Sequence, residues 1–373
     1  MAVLPAAKFM NSIKINSKIK PFEVDFTKDF SFVRDFKKIR NYMIVVGSVV
    51  YRIYKKQIFD SFPKEKIIVV KLDETKKTLE TVNLIYKKLL GLSAKKNLNL
   101  ISFGGGINQD VVGFAASTLY RGINWIFVPT TLLAMADSAI GLKTSLNYKS
   151  YKNVLGTFYP PSKIYINLNF VDTLEKKDYY SGVGEIVKFL LMEDHAFDNL
   201  KKIKSIVAKL TNSPSNSFLT SIVKRSIKLK LSYMEGDEFD MGRRNLLNYG
   251  HELGHALESA SGFAVPHGIG VMIGIVFANL VSYKRGWLTK EKYEFINREI
   301  ILNNLQPDVI KLNWKFFQEK KILENMKKDK KRVSESLPLV LPDKKSKLTK
   351  ITDFSFSECI SSIRSLQELL NLK

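Results

Sequence analysis

The sequence predicts two domains: an α/β Rossmann-like dinucleotide-binding domain and, after it, a mostly α-helical metal-binding domain. Three observations carry this expectation. Short apolar, β-branched runs alternate with helical patterns in the first half, long helical patterns replace them after about residue 178, and 373 residues exceed what one hydrophobic core usually organises.

Taken in order, residues 42–46, 67–70, 98–103, 125–128 and 163–166 are the candidate strands, with helices expected over 74–90 and 110–119. Strands alternating with helices imply a parallel sheet. Further helices are expected over 182–194, 218–235, 244–259 and 269–283, so the boundary falls between 172 and 180 and the domains are taken as 1–178 and 179–373. A short strand over 337–341 and an amphipathic helix running to 370 close the chain, and no internal repeat or low-complexity segment is present.

Hydrophobic residues at 45% and charged residues at 25% describe a globular protein. The net charge of +23 admits an anionic substrate, a polyanion or a lysine-rich background. Its lysines are scattered, denser only around Lys327, Lys328, Lys330 and Lys331 and around Lys344, Lys345 and Lys347. No aromatic-interleaved basic module accompanies them, so neither nucleic acid nor membrane is expected as a partner. Cys359 is the single cysteine, which excludes an intramolecular disulfide and a cysteine-rich zinc site; any metal must be held by histidine and carboxylate. The first residues carry no continuous apolar run, and the uncharged stretch 268–283 is shorter than a membrane span, so a cytoplasmic protein is expected.

The strand ending at Phe103 runs into Gly104, Gly105 and Gly106 and then into an apolar helix beginning near Asp110. Glycines there allow close backbone approach and leave amides open at a helix N-terminus, which suits a pyrophosphate, although Gln109 stands where the dinucleotide fingerprint has its third glycine. An ordinary tight turn is the other reading. Pro129, Thr130, Thr131, Asp137, Ser138, Lys143, Thr144, Asn147, Lys152 and Asn153 follow a strand closely, as a phosphate- or diol-binding crevice requires or as a polar surface loop would also show.

Of four histidines, His251, His255 and His267 fall within seventeen residues, and His195 reads as a surface residue. On one continuous helix Arg244, Asn248, His251 and His255 would recur at steps of 4, 3 and 4 and share a stripe. The string from His251 to His255 also fits the H-E-x-x-H pattern of zinc proteases, with Glu252 as base. The competing reading joins His251 to His267 and to a carboxylate from elsewhere, leaving an open fourth position on the ion. Glu185, an acid on an otherwise apolar helix with Lys188 at i+3, is the best such carboxylate; a surface ion pair is the alternative for those two residues.

These motifs, in this order, resemble those of the 3-dehydroquinate synthases within the sugar-phosphate cyclases. They are Gly104-Gly105-Gly106 with Asp110, Arg121-Gly122, Pro129 to Ala134, Asp137-Ser138 with Lys143-Thr144 and Asn147, Lys152-Asn153, Gly184 to Lys188, Asn248 to His251 with Gly254-His255-Ala256, and His267-Gly268. The resemblance runs from about residue 74 to 341 and implies a dehydroquinate synthase-like fold. It implies NAD and Zn2+ (or Co2+) as cofactors and Glu185, His251 and His267 as metal ligands. It implies catalytic roles for Asp137, Lys143, Lys188, Lys230, Asn248 and His255. Substrate binding falls to Asn153, Arg244, one of Lys330 and Lys331, and Arg121 reaching in from the second subunit of a homodimer. The NAD site falls to Glu74, Lys77, Gly105, Gly106, Asp110, Thr130, Thr131, Lys143, Lys152, Phe170 and Thr173.

The activity so implied converts 3-deoxy-D-arabino-heptulosonate 7-phosphate to 3-dehydroquinate and phosphate, in the shikimate pathway to aromatic amino acids. It proceeds by transient oxidation, phosphate elimination, reduction and intramolecular aldol closure. A neighbouring cyclase activity, such as that of a 2-deoxy-scyllo-inosose or C7-cyclitol synthase, is the alternative. The chain departs from the family pattern at several points. Gln109, Ile269 and Leu142 stand for a glycine, a glutamate and a glycine, Glu252 for a threonine, Asp178 and Asp240 for glutamates, and no acid follows the strand ending at Gly47.

Overall fold

The computed structural model describes residues 12–91, 96–149, 151–305, 309–327 and 336–372. The chain divides into two compact units, Met1–Leu174 and Glu175–Lys373.

In the first unit β1 (Ser12–Ile15), β2 (Phe22–Thr27), β3 (Tyr42–Gly47), β4 (Ile67–Val70), β5 (Asn99–Gly104), β6 (Asn124–Pro129) and β9 (Lys163–Asn167) form one sheet in the order β1-β2-β9-β6-β5-β3-β4. All pairs are parallel except β1 with β2. The five expected strands are all present and lie together, because Val, Ile and Phe fill both faces of a covered parallel sheet. Helices α1 (Val33–Phe36), α2 (Ser48–Tyr54), α3 (Leu79–Gly91), α4 (Gly106–Thr118) and α5 (Leu132–Ala136) connect them. The helix expected from residue 74 begins only at Leu79; a separate 3-10 turn, Glu74–Lys76, precedes it, capped by Asp73 accepting from the Thr75 amide.

Because β4 lies on one side of β3 and β5 on the other, chain direction reverses between β3 and β5, and the glycine turn after β5 sits at that switch point. The later part of the polar stretch after β6 is a hairpin, β7 (Lys143–Tyr148) with β8 (Tyr151–Phe158). Its period of two is carried by Thr144 and Leu146, which are buried while Lys143 and Tyr148 face outward.

The second unit contains α6 (Lys176–Met192), α7 (Leu200–Thr211), α8 (Asn216–Met234), α9 (His251–Ala260), α10 (His267–Lys284), α11 (Lys290–Glu294), α12 (Glu319–Lys327), the hairpin β10 (Leu337–Pro342) and β11 (Leu348–Phe354), and α13 (Phe356–Leu369). Apolar on every side, α10 is buried from Gly268 to Ser282 and forms the core on which α6 and α9 pack. It is the one helix among the described residues long and apolar enough to cross a membrane, and 83% of its span is buried inside the protein.

The helix expected over 244–259 is two elements. A 3-10 turn, Arg243–Asn248, is separated from α9 by Gly250, whose φ of +82° ends one and starts the other. Arg244 and Asn248 therefore do not share a helical stripe with His251 and His255. His267, expected beyond a helix, is the first residue of α10, following Pro266 as its N-cap.

Glycines set how closely these helices approach. A Cβ on Gly184 of α6 would lie 2.1 Å from the Gly268 carbonyl oxygen, and one on Gly268 would lie 1.8 Å from that of Ser181. A Cβ on Gly274 would lie 1.8 Å from the Gly250 oxygen, and Gly254 and Gly270 also face one another. Backbone thus touches backbone along both sides of α10. Replacing Gly268 by Ala should cost about 3 kcal/mol of stability, since the obstruction is main chain and cannot rotate away. Urea denaturation should find Gly91→Ala, with nothing within 4 Å of the new Cβ, close to the parent protein.

Candidate metal centre and nucleotide turn

The middle of α6 and the first turns of α9 and α10 bring one carboxylate and three imidazoles together. Glu185, fully buried on α6, presents Oε1 to His251 Nε2 at 3.3 Å and to His267 Nε2 at 3.0 Å. The other oxygen, Oε2, lies 2.5 Å from Lys188 Nζ but accepts no well-directed hydrogen bond. Lys188 is itself 2% exposed, so these two residues are not a surface pair. His255, one turn after His251, joins the group: one nitrogen from each of the three rings lies within 4.8 Å of the others. His251 and His267 keep 13% and 30% of their side-chain surface, which leaves the cluster reachable.

The electrostatics hold Glu185 and His251 in forms able to bind a cation, while His267 in the metal-free protein keeps a proton that an ion would have to displace. Burial disfavours charge on Glu185, but Lys188 and the two imidazoles outweigh it and hold the carboxyl well below the usual range. Burial, and then Lys188, push His251 below its ordinary value, which keeps a lone pair on the ring. For His267 burial again opposes the charge, yet Glu258 and Glu185 override it and raise the ring to about 10. Glu258, absent from the sequence reading, touches His267 Nδ1 at 2.6 Å. The sequence offered only its position, an acid two turns after His251.

Other expected residues of this unit are placed nearby in the chain but by different means. Lys230 is buried on α8, a helix that packs against both α6 and the Arg243–Asn248 turn. Arg244 is buried in that turn, its amide donating to Asp237 at 2.8 Å and its guanidinium to the Glu238 carbonyl. The Asn248 side chain donates to the Asn245 carbonyl at 2.7 Å. His195 is exposed, and Lys330 and Lys331 lie outside the described residues.

In the first unit the N-terminus of α4 follows Gly105, and no side chain caps it, so its first amides remain open to an anion. Thr130 donates its amide to the Gly104 carbonyl at 3.0 Å, which sets the β6 loop beside the glycine turn, and Thr131 caps α5. Gln109 is tied to Ser138: its amide donates to the Ser138 carbonyl and accepts from the Ser138 hydroxyl, both at 2.8 Å. Asp137 precedes Ser138 at the end of α5.

A polar cluster ties α4 to the β7–β8 hairpin. Lys77 Nζ meets Asp110 at 2.5 Å and Asn153 at 2.6 Å, and the Ser145 hydroxyl bridges the same two partners. The Asn147 amide reaches Glu74 at 2.9 Å. Burial raises Asp110 above the usual carboxylate value and Lys77 offsets part of the shift. Lys143 is exposed at the start of β7, Lys152 is half-buried on β8, and Arg121 is exposed with φ of +65°. Phe170 has no exposed surface, packed against Phe30 and Tyr54, while the Thr173 hydroxyl pairs with that of Tyr54 at 2.7 Å.

Comparison with solved structures defines the class first. The fold matches a 2-epi-5-epi-valiolone synthase from Streptomyces hygroscopicus subsp. jinggangensis, solved with NAD+ and Zn2+, at a TM-score of 0.80 and 21% identity, covering 96% of this chain and 99% of that one. A 2-deoxy-scyllo-inosose synthase solved with carbaglucose-6-phosphate, NAD+ and Co2+ matches at 0.80 and 22% identity, covering 95% and 100%. A probable glycerol dehydrogenase from Sinorhizobium meliloti matches at 0.58 and 12%, covering 93% and 97%. The architecture is therefore that of the sugar-phosphate cyclases, shared more distantly with a dehydrogenase.

Sequence then narrows the class. Residues 67–181 match the 3-dehydroquinate synthase N-terminal family and residues 182–332 its C-terminal counterpart. The 3-dehydroquinate synthase of Dictyoglomus turgidum is 30% identical over 357 residues, 95% of this chain and 97% of that protein. That of Acetivibrio thermocellus is 36% identical over 277 residues, 74% and 75% of the two chains. The chain belongs to the 3-dehydroquinate synthase family.

The Lys77–Asp110 pair supplies a test of the first unit. Lys77→Met should destabilise it by about 3 kcal/mol at pH 8, because the buried carboxylate loses its counter-charge. Asp110, already raised, then rises further, and a raised acid contributes stability that is lost as pH climbs through its folded value. The deficit measured by denaturation should accordingly shrink on lowering the pH.

Proposed function

We propose that this chain catalyses the 3-dehydroquinate synthase reaction, with Glu185, His251 and His267 holding a divalent ion and the glycine turn after β5 binding NAD. The observation that carries this reading is the wholly buried Glu185 carboxylate shared by two imidazole Nε2 atoms, a donor set that suits zinc. The lone pair kept on His251 fits the same ion. A bound zinc would act as a Lewis acid on the reacting alcohol and ketone oxygens, and NAD would take up and return the hydride.

The chain's own residues do the rest. Lys188 keeps Glu185 ionised and adds positive charge beside the imidazoles. Lys230 and Arg244 supply positive charge for a substrate carrying both a carboxylate and a phosphate, and Lys143 and Asn153 are taken as further substrate contacts. His255 and Asn248 orient its hydroxyls, Asp137 completes the polar wall, and one of Lys330 and Lys331 takes its acidic end. Open amides at the start of α4 receive the pyrophosphate, and Lys77, Asp110, Lys152, Thr130 and Thr131 set the walls of the nucleotide site. Arg121, exposed and in a left-handed conformation, reaches the substrate of a second subunit in a homodimer, and the enzyme works in the cytoplasm.

Supplied with NAD and zinc, the purified protein should release phosphate from 3-deoxy-D-arabino-heptulosonate 7-phosphate and not from glucose 6-phosphate. Release from the glucose ester alone would move the assignment to an inosose-type cyclase. His251→Ala should weaken zinc binding by more than about 100-fold, beyond the loss that removing even an outer partner of a ligand brings, and should abolish turnover. Glu252→Ala should keep most of the activity; its abolition would restore the protease-type reading of the same helix.

A further inference from the structure

Glu258 stands seven residues after His251, two turns along α9, and its side chain is only 10% exposed. Its Oε1 lies 2.6 Å from His267 Nδ1, while His267 Nε2 faces Glu185 Oε1 at 3.0 Å. Both ring nitrogens are thereby committed, one to each carboxylate. With nothing on Nδ1 the ring would be free to flip or to carry its proton on the nitrogen that faces the centre.

The main chain of Glu258 works toward the same end. Its carbonyl accepts from the Phe263 amide at 2.8 Å and from the Ser261 hydroxyl at 3.1 Å, and that hydroxyl also accepts from the Val265 amide. These bonds shape the loop between α9 and α10 that delivers His267. The side chain is the part of this arrangement that a substitution removes while leaving the loop's own bonds in place.

We propose that Glu258 is a positioning residue of the metal centre: its carboxylate fixes the ring and tautomer of His267 so that Nε2 is presented to a divalent ion. The proposal rests on the metal-centre reading above. An outer carboxylate on a ligating imidazole orients the ring and strengthens it as a donor, and its loss costs about 10- to 100-fold in metal affinity.

The test is a zinc titration of the metal-free protein against a chromophoric chelator, run on the parent protein, Glu258→Gln, Glu258→Ala and His251→Ala, with thermal unfolding of each metal-free form alongside. Glu258→Gln keeps a group able to accept from Nδ1 but loses the charge, so its zinc Kd should rise about tenfold, and that of Glu258→Ala about 100-fold. Metal-free Glu258→Gln, having lost the charge paired with His267, should unfold below the parent temperature but still cooperatively, so that its zinc affinity is read on a folded protein. Should Glu258→Ala fail to fold, the nearly isosteric Glu258→Gln decides alone. Zinc affinity within about twofold of the parent in Glu258→Gln, with His251→Ala unable to bind, overturns the role of Glu258. A parent protein that takes up no zinc overturns the metal centre itself and Glu258 with it.

Discussion

Three helices of the second unit meet backbone to backbone, and the cluster of Glu185, His251 and His267 depends on that contact. Helices usually pack with their axes 8–10 Å apart, a spacing set by the side chains between them. Here Gly184, Gly250, Gly254, Gly268, Gly270 and Gly274 remove those side chains at the crossings. Each member of the cluster is the chain neighbour of one of these glycines: Glu185 follows Gly184, His251 follows Gly250, His255 follows Gly254, and His267 precedes Gly268. The residues that let the main chains touch therefore also bring the adjoining functional side chains within a few ångströms of one another.

Such convergence places a charge where water cannot reach it. A carboxylate with no exposed surface is costly unless paired, and Glu185 is paired from its own helix by Lys188 and from α9 and α10 by imidazoles. Two ionisable residues at i and i+3 on a helix otherwise buried from Ser181 to Met192 break the local pattern of apolar burial. Functional sites are where such breaks are expected, since there a local cost is retained for what the group does.

Much of this was legible in the sequence, and the misses have physical causes. The central strands were readable because they are continuous apolar runs, and the group of neighbouring imidazoles because histidine is scarce and clustered. Spacing of 4, 3 and 4 suggested a single stripe from Arg244 to His255, but Gly250 turns left-handed and cuts the helix, so Arg244 and Asn248 belong to a separate turn. Glu258 escaped notice because an acid on a helix ordinarily faces solvent, and only its fold partner His267, nine residues on, gives it a buried role. The β7–β8 hairpin was hidden by its polar composition, since two buried residues, Thr144 and Leu146, are the whole of the alternation in β7.

The departures from the family pattern bear on the substrate through where their side chains go. Leu142 and Ile269 are 1% and 2% exposed, so both are absorbed into packing. Gln109 is 3% exposed and spends its amide on Ser138, which links the first turn of α4 to the segment carrying Asp137 while Gly105 and Gly106 keep their open amides. None of the three replaces a member of the cationic set of Lys143, Lys188, Lys230 and Arg244. The three substitutions thus alter how the scaffold is packed.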